Sequence, residues 1–444
     1  MKNVHIINLG CPKNMVDGEI MAAALAEGGY RIVDDPRKAA VIMVNTCAFI
    51  LPAKEESIEE ILSAATWKKA GRCRHLVVTG CLPQRYGKSL AAELPEVDLF
   101  LDTNEMPYIA RHLVKLGERQ QTEPLTIVHN PSFLMDAGNK RLLSTPPYSA
   151  YLKIAEGCSN YCSYCIIPAL RGKARSRPMD DIINEAANLV EEGVREIILT
   201  AQDTTSYGRD LKGSHTLSEL LKNLSTLAPL RWIRLLYTYP GRLDRRTLVV
   251  MAEEEKICSY IDIPIQHIDD DILKAMHRRG GSAQIKESIA LIRTMVPGVA
   301  LRTSLIVGFP GETPAGFKRL VDFIVATKFD HLGVFKYSRE EETAAASRPG
   351  HITEKTKERR RGLLMEEQAV VSGTINQALI GSRQEVLIEG ASDIPEYPYI
   401  GRCRRQAPEI DGVTYVKGAG LAAGDFVTGT ITAADTYDLY GETT

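Results

Sequence analysis

No stretch of this chain is apolar for long enough to cross a bilayer. The amino terminus, Met1-Lys2-Asn3-Val4-His5-Ile6-Ile7, runs straight into a strand-like segment without a small-residue cleavage site, so no secretory signal is read there. Neither sign of charge dominates. With 54 Lys and Arg against 56 Asp and Glu the net charge is −2, which gives no global case for a nucleic-acid partner. These absences predict a cytoplasmic protein with no membrane partner. A hydrophobic content of 44% and a charged content of 25% are those of an ordinary globular protein, and 444 residues suffice for about three domains.

Cysteine, by contrast, is present in number. Nine cysteines are an odd count in a chain without a secretion signal, which favours metal binding over a disulfide framework. Three of them crowd into Cys158-Ser-Asn-Tyr-Cys162-Ser-Tyr-Cys165, directly after the apolar run Tyr151–Ala155. A closed zinc site or a cubane iron–sulfur cluster normally takes four protein ligands, and no fourth Cys or His follows in this loop. The spacing, three residues and then two, also differs from the paired two-residue gaps of zinc ribbons. Three thiolates on a four-iron cubane leave one iron open, and an open position is where chemistry happens.

The first 142 residues alternate short apolar runs (Val4–Leu9, Val41–Asn45, Leu76–Thr79, Leu99–Leu101) with helical patterns such as Val16–Glu27 and Lys54–Lys69. That alternation implies a parallel sheet covered on both faces. Three of the strands end alike, at Cys11, Cys47 and Cys81. Parallel strands present their carboxyl ends on one edge, where open α/β sheets bind ligands. The three thiols should therefore converge as a second trio. Cys73, Cys258 and Cys403 have no partner at ligand spacing.

Residues 120 to 148, with Pro124, Pro131, Gly138, Pro146 and Pro147, read as a linker. A central domain follows, with strands predicted at 151–155, 196–200, 232–237, 260–265, 300–307 and 331–335. Helical patterns at 179–192, 216–227, 269–277, 283–295 and 313–327 separate them. Six βα units predict a partial (β/α)6 barrel with its function at the carboxyl ends of the strands. Several features fall there. Thr200-Ala-Gln202-Asp203 suits either a cofactor's amino group or a helix N-cap. Gly308-Phe-Pro-Gly311-Glu312 suits either close approach to a ligand or an ordinary turn. His267 reads as a hydrogen-bonded structural residue. Arg171, Lys173, Arg175 and Arg177 alternate, so an extended segment would place all four on one face, toward an acidic group or toward solvent.

A charged helix is predicted over 350–372, and its charge run reads as a solvated face. Beyond it, short alternating segments at 384–388, 414–416, 426–431 and 437–440 predict a small antiparallel β-barrel. From Asn376 onward there are five basic residues against ten acidic ones. RNA affinity rests on phosphate neutralisation by Lys and Arg, so this module suits a basic protein surface better than a phosphate backbone.

The cysteine loop resembles that of the radical S-adenosylmethionine (SAM) superfamily, and the whole chain resembles the methylthiotransferases within it. The resemblance implies an N-terminal domain over 1–142 with an auxiliary 4Fe–4S cluster on Cys11, Cys47 and Cys81. It implies a radical SAM domain over 143–372 with the SAM-cleaving 4Fe–4S cluster on Cys158, Cys162 and Cys165, and a TRAM domain over 373–444. Tyr164 is expected near the adenine, and Gln202, Asp203, Gly308 and Glu312 are the further cofactor-binding candidates. In the family one SAM methylates sulfur on the auxiliary cluster and a second yields the radical that activates a C–H carbon. Beyond the cluster ligands the resemblance names no catalytic side chain.

The words Leu9-Gly-Cys-Pro-Lys-Asn14, Asn45-Thr-Cys-Ala-Phe-Ile50, Ile265-Gln-His267 and Ala407-Pro-Glu-Ile-Asp-Gly412 resemble the RimO type. Ala48 stands where that type often has glycine. The RimO type modifies the β-carbon of an aspartate in the twelfth protein of the small ribosomal subunit; the alternative within the family is a transfer RNA adenosine. The implied partners are that ribosomal protein or the assembled subunit, and an electron donor such as flavodoxin or ferredoxin. A monomer is expected.

Overall fold

The computed structural model describes residues 2–71, 73–118, 123–213 and 215–443. Its first sheet comprises β1 (Asn3–Asn8), β2 (Arg31–Ile32), β3 (Val41–Thr46), β4 (His75–Gly80), β5 (Leu99–Leu101) and β6 (Leu125–Ile127), ordered β2-β1-β3-β4-β5-β6 with every pairing parallel. Central β3 is buried along its whole length, as an apolar strand covered on both faces should be. Helices α1 (Pro12–Glu27), α2 (Leu51–Lys69), α3 (Cys81–Glu93) and α4 (Ile109–Glu118) connect the strands. Helix α1 opens on Pro12 and α2 carries Pro52 in its first turn, where a missing N–H costs nothing and the fixed φ suits the helix. That is why α1 starts four residues before the predicted pattern, immediately after Cys11.

The six central strands are β7 (Ser149–Lys153), β10 (Glu196–Thr200), β11 (Trp232–Leu235), β12 (Ile257–Asp262), β13 (Ala300–Val307) and β14 (His331–Lys336); all neighbours are parallel, in the order β14-β13-β12-β11-β10-β7. A two-stranded clip, β8 (Ala155–Glu156) with β9 (Arg175–Ser176), closes the base of the cysteine loop. Helices α5 (Ile167–Arg171), α6 (Met179–Glu191), α7 (Leu217–Ser225), α8 (Arg245–Glu253), α9 (Asp270–Ala275), α10 (Gly281–Met295) and α11 (Pro314–Thr327) join them, and α12 (Glu354–Gln377) leads out. Thr216 and Glu219 form a capping box on α7, and Asp244, Asp269, Thr313 and Thr353 cap α8, α9, α11 and α12. The last strands, β15 (Arg383–Ile394), β16 (Tyr397–Cys403), β17 (Thr414–Lys417), β18 (Phe426–Ala434) and β19 (Leu439–Thr443), close a barrel. It is antiparallel except where β17 meets β19.

Two sequence expectations are corrected, and two elements are added that the sequence reading did not name. The 120–148 stretch is not all linker: Leu125–Ile127 is the edge strand beside β5, while residues 120–122 lie outside the described part. Strand β12 ends at Asp262 rather than Ile265, before Pro264, which has no N–H to give. Helix α8 was masked by its β-branched run Thr247-Leu-Val-Val250. Strand β16 was masked by Pro398, which sits at a break in the β15–β16 register and so takes no ladder bond.

Candidate active site between the first sheet and the barrel

Strand register brings the first trio together. Asn8 pairs with Asn45, Asn45 with Thr79, and Thr46 with Gly80, and each strand is followed within a few residues by Cys11, Cys47 or Cys81. Gly10, at φ +91°, lies so close to Cys47 that a Cβ there would stand 2.7 Å from the Cys47 Cβ. The loops are pinned locally. Asn14 Nδ2 donates to Leu9 O at 2.6 Å, Asn45 Nδ2 to Asn14 O at 2.8 Å, and Ser57 Oγ to Cys47 O at 2.9 Å. Cys11 occupies the N-cap position of α1 and Cys81 is the first residue of α3. Burial pushes the Cys47 thiol from 9.0 up to about 12, with the neighbouring Cys81 and Cys11 adding to the rise, and it raises Cys81 against the pull of Arg171. Burial thus favours the thiol at Cys47 and Cys81, so a cluster must displace their protons to bind.

The second trio sits on the loop after β8. Gly157, at φ +76°, starts it, and any Cβ there would strike the carbonyl oxygen of Lys173. The loop is held at both ends and in the middle: Cys158 N to Gly172 O at 3.1 Å, Ser163 N to Met276 O at 3.0 Å, Ala345 N to Ser163 O at 2.8 Å and Cys165 N to Cys162 O at 3.0 Å. Burial lifts Cys158 to about 11, and lifts Cys165 further with help from the Cys162 and Cys158 charges. Tyr164 packs with Met276, Phe309 and Tyr337, and burial raises its hydroxyl well above the usual phenol range. Two compact sets of three soft sulfur donors suit iron–sulfur clusters, for which thiolates are the customary ligands.

Other predicted residues divide into free and engaged. Gln202 donates from Nε2 to Glu156 at 2.8 Å, and its Oε1 is buried with no partner among the described residues. Asp203 is engaged by Asn160 (2.9 Å), Ser206 (2.7 Å) and Arg242 (2.5 Å). Glu312 accepts from Arg360 at 2.7 Å, from the Gly308 N–H and from His267 at 3.4 Å. A Cβ at Gly308 would run into Lys357, so its φ of +73° and that close approach both call for glycine. His267 Nδ1 accepts from Asp269 N at 2.9 Å, the structural role expected of it. The four alternating cations do not share a face. Arg171 ends α5 and Arg177 is fully buried against Asp181 and Glu185, whereas Lys173 is exposed. Helix α5 breaks the extended path that the alternation requires. Cys73, Cys258 and Cys403 are buried.

Sequence reasoning missed the residues that join the two halves. Lys153 Nζ bonds Asp17 at 2.5 Å and Glu156 at 2.9 Å; Arg171 Nη1 bonds Asp17 at 2.5 Å, and its Nη2 reaches Asn14 at 3.1 Å and the Cys81 sulfur at 3.4 Å. Lys54 and Arg85, near Cys47 and Cys81, both pair with Glu340 beyond β14, at 2.8 and 2.7 Å. The edge of the first sheet therefore lies on the carboxyl-terminal edge of the barrel. The lysine inside the apolar run Tyr151-Leu-Lys-Ile-Ala155 and Arg171, read as facing an acidic group or solvent, were the sequence signs of this network.

Residues 152–324 match the model of the radical SAM superfamily, residues 3–102 that of the uncharacterized protein family UPF0004, and residues 380–444 that of the TRAM domain. In fold the chain is similar to the radical SAM methyltransferase TsrM from Kitasatospora setae (TM-score 0.57, 15% identity, 78% of this chain and 75% of that one). It is similar too to the cobalamin-dependent radical SAM enzyme OxsB (TM-score 0.52, 13% identity, 84% and 56%). Fold and cysteine loop define a radical SAM enzyme. It is 64% identical over 443 residues to the ribosomal protein uS12 methylthiotransferase RimO of Syntrophus aciditrophicus, covering 99% of this chain and 98% of that protein. The match to its namesake in Geobacter sulfurreducens is 50% over 441 residues, with the same coverage. The chain belongs to the RimO family of methylthiotransferases.

Proposed function

We propose that this chain inserts a methylthio group at the β-carbon of an aspartate in ribosomal protein uS12, using two SAM molecules and two 4Fe–4S clusters. Cys11, Cys47 and Cys81 hold the auxiliary cluster, and Cys158, Cys162 and Cys165 the one that cleaves SAM. The reading rests on one observation above all: Arg171, six residues past Cys165, touches the sulfur of Cys81. A transfer between the two centres requires such proximity. When bound, clusters and SAM supply radical and sulfur chemistry that no side chain can perform.

The chain's own residues bind, orient and exclude water. Tyr164 is assigned to the adenine side of SAM, and Gln202, with its unpaired Oε1, to a polar group of SAM. Asp203, Gly308 and Glu312 shape the rim of that site. The paired charges of Asp17, Lys153, Glu156 and Arg171 seal the two edges against solvent. We place the boundaries of the three units at 142 and 372. Among the described residues no helix is long and apolar enough to cross a membrane, and we place the enzyme in the cytoplasm with the ribosome, as a monomer served by a flavodoxin or ferredoxin.

The test is mass spectrometry of uS12 and of transfer RNA from one strain with and without this gene. A methylthio mass gain on uS12 that disappears with the gene is the expected result. An unmodified uS12 beside gene-dependent methylthio-adenosine would assign the enzyme to transfer RNA.

A further inference from the structure

Lys13, two residues past Cys11 at the start of α1, is 6% exposed. Its ammonium stands 3.3 Å from the centroid of the Tyr237 ring. It forms no ion pair with a carboxylate among the described residues. The nearby acids are already taken: Asp17 and Glu156 balance Lys153 and Arg171, two anions against two cations. Asp262 accepts the Tyr237 N–H at 3.0 Å and shares Arg302 with Asp411, at 3.7 and 3.3 Å. Lys13 is therefore the one cation of this junction with no carboxylate within ion-pair distance among the described residues. A buried ammonium without a counter-ion is costly, and the face of one ring only partly replaces its hydration.

Tyr237 is itself unusual. It follows β11 with φ at +57°, a left-handed conformation that a bulky non-glycine residue adopts only under constraint, and such strain concentrates at functional sites. Its carbonyl accepts from Thr204 N at 3.0 Å, and with the bond to Asp262 this holds the ring beneath the ammonium. Two elements of different domains thus present an ammonium with no ion pair of its own beside the auxiliary trio.

We propose that Lys13, seated on Tyr237, receives the side-chain carboxylate of the substrate aspartate and makes the enzyme selective for an acid over its amide. This rests on the uS12 reading above. An aspartate entering the site brings a carboxylate to the ammonium that has no ion pair, and that carboxylate sits one bond from the β-carbon that is modified. An asparagine brings none.

The experiment measures binding of purified uS12, and of uS12 with the modified aspartate changed to asparagine, to the anaerobically reconstituted full chain. The wild type is expected to prefer the aspartate form by at least about tenfold, the worth of a charge-assisted contact. K13Q, with iron content matching wild type, should bind both forms alike; K13R should keep part of the preference. Tyr237→Leu, which leaves the auxiliary loop intact, should also reduce the ratio and serves if K13Q does not fold. A wild-type ratio retained in K13Q or, where that variant does not fold, in Tyr237→Leu overturns the proposal. So does a K13Q change confined to the paramagnetic spectrum of the auxiliary cluster, which would assign the charge to the cluster. If the wild type binds neither form and leaves uS12 unmodified, the functional reading itself fails.

Discussion

The guanidinium of Arg171 donates to the sulfur of Cys81 across 3.4 Å while pairing with Asp17 at 2.5 Å. One side chain thereby links the helix that follows the SAM-loop cysteines to the trio on the first sheet. Buried throughout, it is charged at every working pH, with Asp17, Cys81 and Glu156 holding it well above the usual guanidinium range against the opposing effect of burial.

Replacing it should be felt at the auxiliary cluster. A cation and hydrogen-bond donor at a ligand sulfur stabilises the reduced cluster, so Arg171→Gln should lower that cluster's reduction potential. Redox titration on a Cys158→Ala background isolates the signal, and Arg171→Lys should recover part of the shift. Because Asp17 and Glu156 lose a partner, Arg171→Gln should also destabilise the fold by about 3–5 kcal/mol, measurable by denaturant unfolding.

The two trios should be separable by iron analysis. The reconstituted wild type is expected to hold about eight irons, and Cys47→Ala or Cys158→Ala about four. Cys158→Ala should abolish SAM cleavage. Cys47→Ala should retain cleavage and lose methylthio transfer. Equal loss of both activities in the two variants would contradict the division of roles.

The cluster-free chain should lose stability in alkali. Burial raises Cys47 to about 12 and Cys158 to about 11, above the 9.0 of an ordinary thiol. Groups raised in this way contribute stability below pH 9 that fades as the pH climbs through 11 and 12. The melting temperature of the metal-free chain should fall across that window, and less so in Cys47→Ala. Iron uptake should release about one proton per ligand cysteine, detectable in weakly buffered solution.

Glu196, at the start of β10, fastens the C-terminal barrel to the centre. It pairs with Arg402 at 2.6 Å and Arg234 at 3.0 Å, and these cations hold its carboxyl down at about 2 in spite of burial. Glu196→Ala leaves two buried cations unpaired and should cost about 3–5 kcal/mol. Limited proteolysis should then cut between residues 377 and 383 sooner than in the wild type. In the wild type this contribution is present above pH 4.5 and lost as the pH falls through about 2.

Elements whose signal is local were legible. The helical patterns behind α6, α7, α10 and α11 and the all-apolar β3 need no knowledge of distant partners. Strands β6 and β16 were not, because a three-residue edge strand and a strand containing Pro398 exist only through the neighbours that complete them. Arg171 and Arg177 misled for the same reason: alternation describes a strand, and a five-residue helix intervenes.

By itself the sequence determined the chemistry available: six thiols in two groups of three, one group tied together by loop spacing and the other by the shared direction of parallel strands. It also determined the family, since those words survive in order along the chain. Tertiary structure alone decided that Arg171, on the helix after one group, reaches a sulfur of the other, and that Lys13 is left without an ion pair. Charge balance in a buried site depends on which side chains from separate elements come within a few ångströms, and no spacing along the chain encodes that distance.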